Sequence, residues 1–227
     1  MTAEYLHLEC QNLELRVGFK PLLQNVNLKL SPGETLALTG PNGTGKTTLL
    51  RSLAGVARPY SGNVWVASES LWPERKVTTE HRVCYLASQP ALLLDHSIVG
   101  NLEFMCNAFG YLPTFAEFER VLNRVGLQGR NLQSARTLST GQKRRLTLAG
   151  VLLIKPRVML FDEPTNGLDS AGVKLCLDVI QELCENGSAA LIASHDSQLI
   201  AFCKNKIQIE SFLPVQNSSK SKIMKLN

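Results

Sequence analysis

Gly40-Pro41-Asn42-Gly43-Thr44-Gly45-Lys46-Thr47-Thr48 is the stretch on which the fold turns. It matches the phosphate-binding pattern G-x-x-x-x-G-K-[ST], and its flanks supply the context that pattern needs. Upstream, Thr35-Leu36-Ala37-Leu38-Thr39 alternates and then runs apolar, which predicts a buried parallel strand. Downstream, residues 47–55 follow a helical period and reach Gly55, where a helix can end. A strand, a glycine-rich turn and a helix N-terminus gather several backbone N–H groups around one anion. Lys46 is then within reach of the β- and γ-phosphates, and the Thr47 hydroxyl of Mg2+. A glycine-rich turn without a ligand is the plainer reading of such a loop. The strand and helix on either side favour nucleotide binding instead.

Working outward, 227 residues suffice for one sizeable core, and a 44% hydrophobic fraction is ordinary for a globular chain. The six cysteines at 10, 84, 106, 176, 184 and 203 form no C-x-x-C pair and have no histidine at metal-binding spacing. Cys176 and Cys184 fall in a helical stretch and read as packing residues. This usage fits a reducing compartment rather than a disulfide framework. No apolar run approaches a membrane span, and Met1–Leu8 lacks the basic region and apolar run of a secretion signal. The chain is therefore expected to be soluble, or to sit on a membrane through a partner. The net charge of +5 is mild, and Lys220, Lys222 and Lys225 lie in a polar tail beyond Pro214. That tail, residues 211–227, is expected to be disordered and solubilising, with attraction to anionic lipid as the lesser reading.

The expected order of elements is an antiparallel pattern over residues 4–40, turning at Gly18 and Ser31-Pro32-Gly33. Short strands follow over residues 60–90, among them Asn63–Ala67 after a Ser61-Gly62 turn, and Arg82–Ala87. A helical region runs from about Ile98 to Gly150. Val158–Phe161 reads as a central strand, residues 171–185 as a helix and Ala189–Ala193 as another buried strand. The fold class is α/β, with a helical insertion and no internal repeat.

Two further groups give the loop its meaning. Asp162 and Glu163 end the apolar run Val158–Phe161, at the strand end where open α/β sheets bind ligands. There Asp162 is placed to hold Mg2+ through water and Glu163 to polarise an attacking water. Leu138-Ser139-Thr140-Gly141-Gln142 precedes that strand, and Lys143-Arg144-Arg145 follows directly on Gln142. Taken alone this is a helix cap followed by a solvated basic turn, with Ser139 and Gly141 able to face an anion.

In this order the motifs resemble the nucleotide-binding domain of ATP-binding cassette (ABC) proteins, from about Leu6 to Ile209. Gly40–Thr48 resembles the Walker A loop, Val158–Glu163 the Walker B strand and Leu138–Gln142 the LSGGQ signature. Gln89 resembles the Q-loop glutamine, Asn166-Gly167-Leu168-Asp169 the D-loop, and His195 the switch histidine. The resemblance implies a P-loop NTPase core with an N-terminal antiparallel β subdomain and a helical subdomain at about residues 90–150. One ATPase domain would span residues 4–210. ATP and Mg2+ are the implied cofactors, with Thr47, Gln89 and Asp162 toward the metal. Glu163, His195 and Gln89 are implied in catalysis. Two nucleotide domains, identical or homologous, would pair head to tail, with each ATP between Gly40–Thr48 of one and Ser139, Gly141 and Gln142 of the other. Asp169 would link the two sites. Integral membrane permease subunits complete the implied assembly, on the cytoplasmic face of an inner membrane or its equivalent in an organelle, and no nucleic-acid partner is expected.

The chain departs from the family pattern at three places. Thr140 replaces the first glycine of LSGGQ, so the backbone there must be ordinary. Gly150 stands where an arginine is usual and is expected to soften its helix. Val17 occupies the place of the adenine-stacking aromatic, Phe19 being the nearest, so base stacking is expected to be weak. Within the family the chain most resembles the ATP-binding subunit of the haem exporter of cytochrome c maturation. Another small-molecule transporter ATPase, a soluble iron–sulfur-assembly type and a non-hydrolysing regulatory module are the alternatives. Nothing in His7, His81, His96 or His195 suggests haem attachment.

Overall fold

The computed structural model describes residues 6–74 and 83–214. Met1–Tyr5, His81, Arg82 and the lysines of the polar tail lie outside the described residues. Strands β1 (Leu8–Val17) and β2 (Lys20–Leu30) form an antiparallel hairpin about Gly18, whose φ is +58°. β1 also pairs with β4 (Ser61–Val66), and β4 with β5 (Glu69–Trp72), to give the sheet order β2-β1-β4-β5 among the described residues. The Ser61-Gly62 pair expected as a turn lies inside β4 instead. Gly62 has φ +92° where the β1–β4 register shifts, and a Cβ on it would fall 2.5 Å from Asn12 O. It is a bulge that lets two backbones meet.

The second sheet holds β3 (Thr35–Thr39), β6 (Val83–Leu86), β7 (Val158–Asp162), β8 (Ala189–Ala193) and β9 (Asn205–Gln208), in the order β6-β7-β8-β3-β9 and all parallel. Successive strand residues face opposite sides. Met159 and Phe161 of β7 enter one core cluster, while Val158 and Leu160 enter the other. With both faces covered, β7 and β8 are buried at every position, which is why they read as unbroken apolar runs.

Helix α1 (Lys46–Leu53) lies between the two sheets, where Leu49, Leu50 and Leu53 are fully buried. The expected stop at Gly55 holds: its φ is +73°, just past the helix C-cap. On the other face pack α2 (Ile98–Asn107), α3 (Phe115–Arg124), α4 (Thr140–Ile154) and α5 (Ser170–Glu185), with the short α6 (Ser197–Phe202) before β9. Gly150, expected to soften α4, is a packing residue: a Cβ there would overlap Met105 Cε and stand 2.8 Å from Met105 Sδ. Ile209–Phe212 closes as a single tight turn, with Phe212 against the core. All six cysteines are free and buried. Burial pushes Cys84 and Cys176 up to about 12, and Cys184 and Cys203 up to about 11. Among the described residues no helix is long and apolar enough to cross a membrane.

Candidate functional site

The register of the parallel sheet brings the candidate residues together. Leu38 and Asp162 both pair with Ala193, so β3, β7 and β8 end side by side. The loops that leave those ends carry Gly40–Gly45, Glu163 and His195, and the loop after neighbouring β6 carries Ser88 and Gln89. The loop between β3 and α1 turns through positive φ at Gly40, Gly43 and Gly45. Gly45 is also the N-cap of α1 and offers no side-chain cap. The first-turn N–H groups of α1 therefore face the cleft, as an anion site requires.

That cleft has a volume of about 310 Å³. Asn42, Gly43, Gly45, Lys46, Thr47 and Thr48 line one wall, and Ser88, Asp162 and Glu163 the other. Lys46 Nζ donates to Gly40 O at 2.6 Å and Pro41 O at 2.9 Å, which keeps the ammonium over the loop. Thr44 Oγ1 donates to Pro41 O at 2.7 Å. Thr47 Oγ1 donates to Asp162 Oδ2 at 2.8 Å, and Asp162 is almost fully buried. A hydroxyl and a buried carboxylate at a phosphate-binding loop are hard oxygen donors, and they fit Mg2+.

Glu163 has φ +48°, a left-handed backbone that favours glycine, and its N–H donates to Ala193 O at 2.8 Å. Its Oε2 accepts from Ser194 Oγ at 3.2 Å and from His195 N at 3.3 Å. The carboxylate is thus aimed by the end of β8. His195 Nε2 stands 2.7 Å from Asn42 Oδ1, 3.2 Å from Lys46 Nζ and 3.6 Å from Glu163 Oε1. One ring nitrogen serves these neighbours in turn: protonated it donates to Asn42, unprotonated it accepts from Lys46.

Gly40, Pro41, Thr44 and His195 adjoin residues that line this cleft without lining it themselves, and Gln89, Ser139, Gly141, Gln142 and Asp169 do not line it either. Gln89 is exposed, one residue beyond Ser88. Ser139 is the N-cap of α4 and forms a capping box with Gln142: Gln142 N donates to Ser139 Oγ at 3.2 Å, and Ser139 N to Gln142 Oε1 at 3.0 Å. Thr140 is an ordinary helical residue, as its side chain demands. A Cβ on Gly141 would sit 2.9 Å from Gly167 O, and one on Gly167 would sit 2.8 Å from Thr140 Cγ2. The signature thus rests directly on the loop that carries Asp169. Asp169 caps α5 by accepting from Gly172 N at 2.8 Å, and it pairs with Arg145 at 3.1 Å. That N–H, and then Arg145, hold its carboxyl below the usual range.

Sequence reading missed three contributors. Ser194 aims Glu163, and its only signal was its place beside His195. Leu22 lines the cleft together with Val17, the position already singled out, whereas Phe19 is 98% exposed and does not line it. Arg144, expected in a solvated turn, is buried; the charge run disguised it.

Comparison with known proteins agrees with this geometry. The profile described as ABC transporter matches residues 23–166. The chain is 37% identical over 186 residues to the cytochrome c biogenesis ATP-binding export protein CcmA of Methylococcus capsulatus, covering 82% of this chain and 89% of that one. It is 34% identical over 196 residues to an uncharacterised ABC transporter ATP-binding protein of Bacillus subtilis, YdbJ, and covers 86% of this chain. Only 62% of YdbJ is spanned, so this relative is the longer protein. Among solved structures, cbiO1 of Clostridium perfringens, part of the ABC transporter complex cbiONQ, superposes with a TM-score of 0.74 at 27% identity. That superposition covers 90% of this chain and 85% of cbiO1.

Proposed function

This chain belongs to the ABC transporter family, whose ATP-binding subunits are ATPases, and we propose that it hydrolyses ATP to drive a separate membrane permease in export for cytochrome c biogenesis, with haem as the cargo. The observation that carries the ATPase reading is the meeting of Lys46, Thr47, Asp162 and Glu163 in one cleft at the ends of parallel strands. Its transport setting is supported by the likeness to CcmA proteins, which span 84–91% of their own length at 31–37% identity.

In the proposed mechanism the α1 N-terminus and Lys46 bind the β- and γ-phosphates. Thr47, Asp162 and Gln89 would hold Mg2+, which neutralises phosphate charge when bound. Glu163 orients a water for in-line attack and accepts its proton. His195 steadies the γ-phosphate from the end of β8. Ser139, Gly141 and the capped start of α4 serve the nucleotide bound by a second copy, paired head to tail. In this chain they stand outside the cleft formed by Lys46 and Thr47. The Ser139 hydroxyl accepts within its capping box and keeps its own proton to donate. Asp169 lies at that boundary and links the two sites. Residues 4–210 act as one ATPase unit, whose helical part at about 90–150 carries motion to the permease at the cytoplasmic membrane face.

The test uses Glu163→Gln in the full chain. ATP binding is expected to persist while turnover falls by about two to three orders of magnitude. Wild-type turnover in this variant would remove Glu163 from its role. The variant, captured from native membranes with ATP present, is then analysed for co-purifying chains by mass spectrometry. Polytopic subunits of cytochrome c maturation are the expected result. A different permease would replace the pathway but keep the mechanism. Soluble partners alone would overturn the transporter reading in favour of a soluble ABC ATPase.

A further inference from the structure

Arg144 heads the largest fully buried side chains of the described residues, at 1% exposure. It sits one turn into α4, five residues after Ser139. Its Nη1 donates to Ala87 O at 2.8 Å and its Nη2 donates to Ser88 O. These are the two residues that lead into Gln89. Nε is buried without a hydrogen-bond partner, and among the described residues no carboxylate forms a salt bridge with the guanidinium. Burial lowers its pKa, with the charge of Asp162 among the groups pulling the other way.

A buried cation held only by main-chain carbonyls is a costly way to fill space, because an apolar side chain of similar length would pack there without desolvating a charge. What the guanidinium alone supplies is a fork that grips two consecutive carbonyls at fixed spacing. The same first turns of α4 are fixed on their other side. Thr140 and Gly141 abut Gly167, and Arg145 reaches Asp169.

We propose that Arg144 is a positioning residue that locks the Gln89 loop to the start of α4, so that the loop and the Ser139–Gly141 turn move as one body. The proposal rests on the reading above, in which Gln89 serves the nucleotide of its own chain and Ser139 that of the second copy. Any displacement of Gln89 on nucleotide or permease contact is then delivered through Arg144 to the opposite nucleotide. Arg144 touches neither phosphate nor metal in this scheme; it acts through the main chain of residues 87 and 88.

The experiment compares wild type, Arg144→Met and Arg144→Lys in the full chain, by amide hydrogen exchange and by ATP turnover. Arg144→Met keeps the length of the buried chain, and Arg144→Lys keeps the charge without the fork. Exchange at residues 87–89 is expected to rise about tenfold or more in Arg144→Met while β7 and β8 stay protected. Turnover is expected to show kcat lowered about tenfold with KM within about twofold, and Arg144→Lys to lie between. Wild-type exchange and kcat in both variants would overturn the proposal. Faster exchange spread evenly over β7, β8 and α5, with KM and kcat both disturbed, would reduce Arg144 to a structural role and also overturn it. If Arg144→Met fails to fold, Arg144→Lys is read by the same two criteria. Absence of ATP turnover in wild type would fail the ATPase reading alone, and exchange at 87–89 would still decide whether Arg144 holds that loop.

Discussion

At the scale of single residues, the cleft is specific where it meets phosphate and plain where it would meet a base. Val17 and Leu22 are the apolar residues lining it, and neither offers a ring to stack on. Val17→Tyr is therefore expected to tighten ATP binding about tenfold, inside the range of one base stack. Titration with a fluorescent ATP analogue checks this, and unchanged affinity would place the base elsewhere. Most of the phosphate end was legible beforehand, because Gly40–Thr48, Asp162–Glu163 and His195 lie in loops whose strands the apolar runs already declared. Arg144 was not, since Lys143 and Arg145 on either side make it look like one more solvated charge. Helical spacing gave no clue either, because α4 is buried at every position from 146 to 154, so the residues four and seven on are buried for all three charges alike. The left-handed backbone of Glu163 was beyond any such reading, because it is imposed by the hydrogen bond of its N–H to Ala193 O on the next strand.

At the scale of elements, the two sheets differ in how far sequence reveals them. β7 and β8 lie between covered faces, and their apolar runs of four and five residues announced them. The outer sheet is harder to read, because its register shifts more than once along β1. Ser61-Gly62 looked like a turn because serine and glycine commonly make one. The bulge becomes visible only when β1 lies against it. Gly62→Ala is expected to destabilise the chain by about 2–4 kcal/mol, from backbone overlap with Asn12 and Leu13 added to the strain of positive φ. Gly18→Ala, also at positive φ but with nothing within 4 Å of its Cβ, is expected to cost about 1 kcal/mol. Urea unfolding of both variants separates the two contributions, and equal costs would deny the close approach at Gly62. Where α4 meets the loop before α5, Gly141→Ala puts a methyl against Gly167 O. Turnover is expected to fall more than stability, as measured by ATPase assay beside thermal melting.

At the scale of the whole molecule, the proposed head-to-tail pairing makes a concentration-dependent claim. Glu163→Gln with Mg2+-ATP is expected to run as a dimer in size-exclusion chromatography with light scattering, and as a monomer without nucleotide. A monomer under both conditions would count against shared nucleotide sites. The pattern of motifs foretold two unlike sheets, a glycine-rich turn and a helical region between Gln89 and Ser139. It did not foretell that the six thiols would all end up inside, since scattered cysteines carry no periodic signal of their own. With Cys84 and Cys176 pushed up to about 12 and Cys184 and Cys203 to about 11, such a thiol is ionised only to ~10⁻³–10⁻⁴ at pH 8. Ionisation grows as pH rises toward those values, so neutral buffer keeps them unreactive. Alkylation with iodoacetamide is expected only as the chain unfolds, and rapid labelling of the native protein would contradict that burial. The native chain is thus ready for spectroscopy as it stands: one cysteine introduced at an exposed position such as Phe104 or Leu112 becomes a unique attachment point for a fluorophore or spin label. Distances across a working assembly can then be followed without first stripping the protein of its own sulfur.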